Sequence, residues 1–270
     1  MILINGVPGD VISVTDRGLS YGDGVFRTFI VREGRPQHWP RHFARLRNDC
    51  AALGIACPEE AVLRGELEQV ARHEPDCAVR ITVTRGPGLR GYAPPSPANP
   101  THIVMTSALP QYPPELAVRG VKARICTLRL GFQPALAGIK HLNRLENVLA
   151  RAEWNDTAIA EGLLLDTEGN AIEGTVSNLF IVEHGALATP DLTRCGVAGV
   201  TRERVIEHAV RHGIACDVAH ISYERLLNAE EVVLVNSLIG VWPVRELAGR
   251  TWVPGSFAAR VRQWLDEESD

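Results

Sequence analysis

Residues 160–189, AEGLLLDTEGNAIEGTVSNLFIVEHGALAT, most narrow the folds open to this chain. They are short apolar runs divided by Gly-bearing turns, which is the pattern of a strand meander. Helical periods stand on both sides of it. Residues 41–54 carry one, with Phe43, Leu46 and Leu53 as its apolar positions and Gly54 as its stop. Residues 58–73 carry a second, with Pro58 near the start and two acids in the first turn. Further helices are expected over 141–155, 199–213 and 255–268. Strands are expected over 1–7, 10–14, 22–34, 77–86, 101–109 and 121–130, with two more inside 230–247. Strands and helices mixed in this way make an α+β chain.

The chain divides by composition. LPQYPPELAVRG, residues 109–120, holds three prolines between two strand-like segments and reads as a linker. This gives a smaller N-terminal domain over 1–108 and a larger C-terminal domain over 121–270.

Charge and cysteine usage exclude several function classes. A net charge of −4 offers no positive field to gather phosphates, so a nucleic-acid partner is not expected. No apolar run approaches the roughly 20 residues that cross a bilayer. MILINGVPGD has neither a basic n-region nor an apolar h-region, so the expected location is the cytoplasm. Cys50, Cys57, Cys77, Cys126, Cys195 and Cys216 are scattered without metal-ligand spacing. Reduced thiols and no metal are the expectation.

One count is sharper. Of 28 Lys plus Arg residues, only Lys122 and Lys140 are lysines. A lysine kept where arginine does all other charge duty points to a need for a free amine, because guanidinium stays protonated and is a poor nucleophile. Lys122 lies in the alternating VKARI, where an outward strand lysine is sufficient. Lys140 lies in LAGIKHLNRLENVL, between an apolar loop and a helix.

Other motifs are weaker alone. Gly86, Gly88 and Gly91 satisfy G-x-G-x-x-G, but YAPPSPANP follows, which cannot open the helix a dinucleotide site needs. Arg85, Arg90 and Tyr92 in that loop suit an anionic ring, but by themselves they favour an ordinary surface loop. Gly196 and Gly199 precede a helix starting near Thr201, either a phosphate cradle or a plain helix start. Glu173 is a strand acid after a Gly turn and Arg45 a helix arginine; by default both face solvent.

Taken in order, GDGVFRT, HFARL, GIKHLNRLENVL, EGTVSNLF, GVAGVTR and VNSLIGVWPV resemble the class IV pyridoxal-phosphate family over nearly the whole chain. That family includes branched-chain and D-amino-acid aminotransferases and aminodeoxychorismate lyases. The resemblance implies a two-domain, fold-type IV enzyme, D-amino-acid aminotransferase-like, with a β-barrel-like C-terminal domain. It implies pyridoxal 5'-phosphate bound through Lys140, with Glu173 on the ring nitrogen. Arg45, Asn178, Gly199, Val200, Thr201, Asn236 and Ser237 are the implied cofactor contacts. GIKHLNRLENVL and RGPGLRGY are most similar to the lyase branch, which implies 4-amino-4-deoxychorismate as the small-molecule substrate, 4-aminobenzoate and pyruvate as products, and folate synthesis as the setting. Arg90, Arg27 and Tyr92 are then expected near the substrate carboxylates. Arg27 departs from the small or hydroxylated residue of the family pattern. Family members are usually homodimers. An aminotransferase on the same fold is the nearest alternative. A cofactor-free binding protein is another, against which Lys140 and Glu173 together argue.

Overall fold

The computed structural model describes residues 1–267. The chain forms two compact units. Among the described residues, unit 1 comprises Met1–Gln111 and the short segment Ile139–Asn143, and unit 2 comprises Tyr112–Gly138 and residues 144–267. The division thus lies inside the proline-bearing stretch 109–120. Pro114–Arg119 of that stretch is a helix of unit 2, started by two prolines that fit a first helical turn.

Unit 1 runs β1 (Ile2–Ile4), β2 (Val7–Pro8), α1 (Arg17–Tyr21), β3 (Gly24–Arg32), β4 (Arg35–Pro36), α2 (Trp39–Ala52), α3 (Glu60–His73), β5 (Cys77–Thr84) and β6 (Thr101–Ser107). Its six strands form one sheet in the order β2-β1-β6-β5-β3-β4. Strand period places Val25, Phe29 and Val31 of β3 on one face, where they join the core with Leu46 and Cys50 of α2 and Leu63 and Leu67 of α3. Residues 10–14, expected as a strand, form none. Val11 and Val14 are 80% and 83% exposed, so that segment has no apolar face to bury.

Unit 2 runs α4 (Pro114–Arg119), β7 (Val121–Leu130), α5 (Leu145–Arg151), β8 (Ile159–Asp166), β9 (Ala171–Gly174), β10 (Asn178–Glu183), β11 (Ala186–Pro190), α6 (Val200–Arg211), β12 (Cys216–Ala219), α7 (Tyr223–Asn228), β13 (Glu231–Asn236), β14 (Gly240–Leu247), β15 (Arg250–Thr251) and α8 (Ser256–Glu267). The last residue of the expected terminal helix, at 268, lies outside the described residues. The sheet order is β12-β11-β10-β13-β14-β7-β8-β9, and β9 also pairs with β10. That extra pairing closes β10, β13, β14, β7, β8 and β9 into a six-stranded barrel, which removes their open edges. Leu163, Leu165, Leu179, Ile181, Leu234 and Val244 share one of the cores of this unit.

The helix expected over 141–155 is much shorter, Leu145–Arg151. The residues before it are used differently: 139–143 lie in unit 1 as an extended lace. The Phe26 N–H donates to the Lys140 carbonyl at 2.9 Å, and the Leu142 N–H to the Gly24 carbonyl at 2.9 Å. Backbone groups engaged with a strand are not available for helix hydrogen bonds.

Candidate active site

Lys140 belongs to that lace in unit 1. Its backbone N–H donates to Asp49 Oδ2 at 3.1 Å. Its Nζ lies 4.6 Å from the centre of the Phe26 ring. Phe26 and Arg80 share the face of the sheet opposite Val25 and Phe29, with the Arg80 guanidinium 4.0 Å from the same ring. Burial holds the Arg80 pKa below its ordinary value. Lys122, the other lysine, is paired with Glu246 of the neighbouring strand at 2.7 Å. Arg45 is half-buried on α2.

Arg27 does not reach solvent. It is 3% exposed and its Nη2 donates to Asp49. Arg85 leaves the anion-binding set considered for its loop: it donates to Asp23 Oδ2 at 2.7 Å and to the Gly54 and Leu53 carbonyls at 2.8 and 2.7 Å. Arg90 is exposed and Tyr92 is 85% exposed. Their loop is nonetheless anchored. Buried Arg17 donates to the carbonyls of Gly91 at 2.9 Å and Tyr92 at 3.0 Å, and to Asp23 at 2.8 Å. Burial raises the Asp23 pKa, but the hydrogen bonds and charges of Arg85 and Arg17 outweigh it and hold the carboxyl below its ordinary value.

In unit 2, Glu173 is not the solvent-facing strand acid that its position suggests by default. It is 4% exposed, on β9, and its Oε2 accepts the Val197 N–H at 2.8 Å. Asn178, at the start of β10, holds the same loop from the other side. Its Nδ2 donates to the Val197 carbonyl at 2.8 Å and its Oδ1 accepts the Gly199 N–H at 3.1 Å. A side chain at Gly199 would place Cβ 2.3 Å from Asn178 Oδ1, so any larger residue would push Asn178 off this bond. Gly199 is the N-cap of α6 and no side chain caps the helix. Val200 and Thr201 open it, both buried. The first-turn N–H groups of such a helix form a ready anion site. Thr201 Oγ1 and Ser237 Oγ lie 3.4 Å apart. Asn236 accepts the N–H groups of Leu238 at 2.7 Å and Ile239 at 2.8 Å and donates to the Val176 carbonyl at 3.0 Å. Thus α6, Thr201, Ser237 and Asn236 form one polar neighbourhood, and Glu173 is linked to it through the loop 196–199.

Sequence reasoning missed Glu161. This acid is 2% exposed on β8 and accepts hydrogen bonds from Thr175 Oγ1 at 2.5 Å, Ser177 Oγ at 2.8 Å and the Thr175 N–H at 3.1 Å. It shapes the turn between β9, which carries Glu173, and β10, which carries Asn178. The available signal was an acid at the head of the apolar run AEGLLL. Asp49 was also missed. It sits on the buried stripe of α2 with Trp39, His42, Leu46 and Cys50, an acid where an apolar residue is the rule.

Chemically, unit 1 offers an amine on a fixed backbone, and unit 2 offers a buried carboxylate with a helix N-terminus for an anion. By donor chemistry, each unit taken by itself suits a part of a phosphorylated pyridine aldehyde: the amine of unit 1 its carbonyl, the carboxylate and helix N-terminus of unit 2 its ring nitrogen and phosphate. Among the described residues, no group of three or more His, Cys, Asp or Glu side chains could hold a metal ion.

The family model for amino-transferase class IV matches residues 24–247. The chain belongs to the aminotransferase class IV family. This class IV chain is 37% identical to an aminodeoxychorismate lyase from Vibrio harveyi over 245 residues, 90% of each. Its fold matches the crystal structure of a 4-amino-4-deoxychorismate lyase from Pseudomonas aeruginosa with a TM-score of 0.95, at 45% identity and 99% coverage of both chains. A branched-chain amino acid aminotransferase from T.th., with pyridoxamine 5'-phosphate, matches with a TM-score of 0.86, at 27% identity, covering 98% of this class IV chain and 92% of the other. The fold is the α+β, fold-type IV arrangement that the motifs imply.

Proposed function

We propose that the chain is a pyridoxal-phosphate-dependent aminodeoxychorismate lyase. It converts 4-amino-4-deoxychorismate into 4-aminobenzoate and pyruvate. The observation that carries this reading is similarity over nearly the full length to two proteins so named, at 45% and 37% identity, against 33% for a putative branched-chain-amino-acid aminotransferase from Methanocaldococcus jannaschii.

In this reading Lys140 binds the cofactor. Glu173 holds a proton at its ring nitrogen. Arg45, Ser237, the Thr201 hydroxyl and the N–H groups at Val200 and Thr201 take its phosphate, while Asn178, through Gly199, and Asn236 keep those groups in place. Bound pyridoxal 5'-phosphate supplies a conjugated ring that takes up the electron pair of a broken C–H bond. The Lys140 amine removes the proton from the ring carbon that carries the substrate's amino group. The enolpyruvyl group leaves the adjacent carbon as the ring becomes aromatic. Lys140 Nζ then returns the proton to the methylene carbon of that group, which gives pyruvate. Atoms balance without water or an oxidant. Arg90 and Tyr92 meet the substrate carboxylates.

The same reading sets the protein in folate synthesis, as a cytoplasmic homodimer. In support of a protein that does not span the membrane by helices, no helix among the described residues is long and apolar enough to cross one. An aminotransferase is the second reading, favoured by the aminotransferase that shares the fold.

The test is to mix purified protein with freshly made 4-amino-4-deoxychorismate and follow 4-aminobenzoate and pyruvate, with Lys140→Ala alongside. Equal amounts of both products, lost in the variant, support the lyase. Amine exchange between amino acids and 2-oxoglutarate, without those products, moves the function to the aminotransferase.

A further inference from the structure

We propose that Asp49 and Arg27 form a positioning pair that sets the backbone of Lys140. The inference rests on the reading of Lys140 as the cofactor-bearing lysine.

The pair follows from strand register. Alternation along β3 puts Arg27 on the same face as Val25, Phe29 and Val31, the face that builds the core of unit 1. A guanidinium there needs a charged partner. Asp49 supplies it from the buried stripe of α2, with Arg27 Nη2 donating to Asp49 Oδ2. The same Oδ2 accepts the Lys140 N–H at 3.1 Å. One carboxylate oxygen thus joins the arginine of β3 to the lysine of the lace.

The lace shows why this matters. The Val25–His141 bridge puts Lys140 beside Phe26 in antiparallel pairing. The Lys140 carbonyl is fixed by the Phe26 N–H, and the next contact is Leu142 to Gly24. A regular ladder would also direct the Lys140 N–H to a strand carbonyl. Here a side-chain carboxylate takes it. The placement of Lys140 therefore depends on two side chains that do not touch the substrate in the proposed reaction. Productive geometry has to be held to about 0.5 Å, and a misplacement of about 1 Å costs on the order of 100-fold in rate.

A pair that serves folding alone predicts something different, and holoenzyme variants separate the two roles. Replacing a buried ion pair by apolar residues of similar size is often neutral for stability. The double variant Arg27→Met with Asp49→Leu is therefore expected to keep its melting temperature near that of the parent protein. It leaves the Lys140 N–H without its acceptor. We expect kcat to fall roughly 100-fold, KM to change little, and the pH titration of the cofactor's absorption band to move. Asp49→Glu keeps the charge and shifts the carboxylate by one methylene. It is expected to fold, to lose on the order of tenfold in kcat, and to move the same titration. Unchanged kcat and unchanged titration in a folded variant would overturn the proposal.

Hydrogen exchange at the Lys140 amide gives a readout that needs no cofactor. Faster exchange in Asp49→Glu and in the double variant supports the clamp, and unchanged exchange overturns it. If the parent protein shows no absorption band that Lys140→Ala removes, the cofactor reading fails, and the exchange experiment still decides the clamp.

Discussion

Glu173 accepts a hydrogen bond from the Val197 N–H at 2.8 Å, so the buried carboxylate that the proposed reading sets on the ring nitrogen also ties the loop before α6. The two tasks can be separated. Glu173→Gln keeps an acceptor for Val197 but cannot stabilise a protonated ring nitrogen. We expect kcat to drop on the order of 100-fold or more, with the melting temperature nearly unchanged. Steady-state kinetics and calorimetry on the loaded protein check this. A variant that melts early and recovers its rate when cooled would assign Glu173 to the loop instead.

The same loop makes a prediction at Gly199. An alanine there drives its Cβ into Asn178 Oδ1, 2.3 Å away, and the neighbour is backed by its bond to the Val197 carbonyl. Overpacking of this kind costs roughly 1–3 kcal/mol. Gly199→Ala is expected to lower the melting temperature by several degrees and to weaken pyridoxal 5'-phosphate binding about tenfold or more. Fluorescence titration of the cofactor measures the second effect. Equal affinity in the variant would show that the start of α6 does not hold the phosphate.

Asp23 gives the pH dependence. Its folded pKa lies below the ordinary value because Arg85 and Arg17 outweigh the effect of burial. A depressed carboxyl stabilises the fold fully above its unfolded pKa, about 3.9, and that contribution is lost as pH falls through the folded value. Asp23→Asn is therefore expected to melt lower than the parent at pH 7, with the gap closing as the pH drops below about 4. Melting curves across pH 3 to 7 test the sign. A gap that widens in acid would mean that another group dominates.

Arg17 is predicted to control the order of the loop that carries Arg90 and Tyr92. Its planar fork serves the Gly91 and Tyr92 carbonyls together, which an ammonium cannot do. In Arg17→Lys, trypsin should cut after Arg90 faster, on the order of tenfold, because each lost ~1.4 kcal/mol of local stability multiplies the open population tenfold. Mass spectrometry of timed digests reads this cut. Identical cleavage rates would show that the loop is held by something other than Arg17.

Much of the fold was legible because it depends on near neighbours in sequence. The runs LLL, NLFIVE and EVVLVN alternate or stay apolar over strand lengths, and the structure has β8, β10 and β13 there. GVAGV followed by TRERVIEH marks a helix start within one residue of Val200. The rarity of lysine singles out Lys140 from sequence, since that argument rests on amine chemistry alone. Residues 10–14 and 141–144 were misread because local pattern cannot tell whether an apolar face will find a partner, or whether a backbone will be taken by a strand.

Sequence alone therefore determined the local elements, the family motifs and the chemical candidates, all of which rest on residue type and short spacing. Tertiary structure decided which candidates are committed elsewhere. It set Arg27 against Asp49, 22 residues away, and Asp49 against Lys140, 91 residues away. It also made the loop residue Arg85 a brace and Glu161 the organiser of the turn before Asn178. These pairings depend on which face of a strand and which stripe of a helix are buried together. That choice is made by packing the whole core, because a buried charge is stable only where the fold brings it an opposite partner.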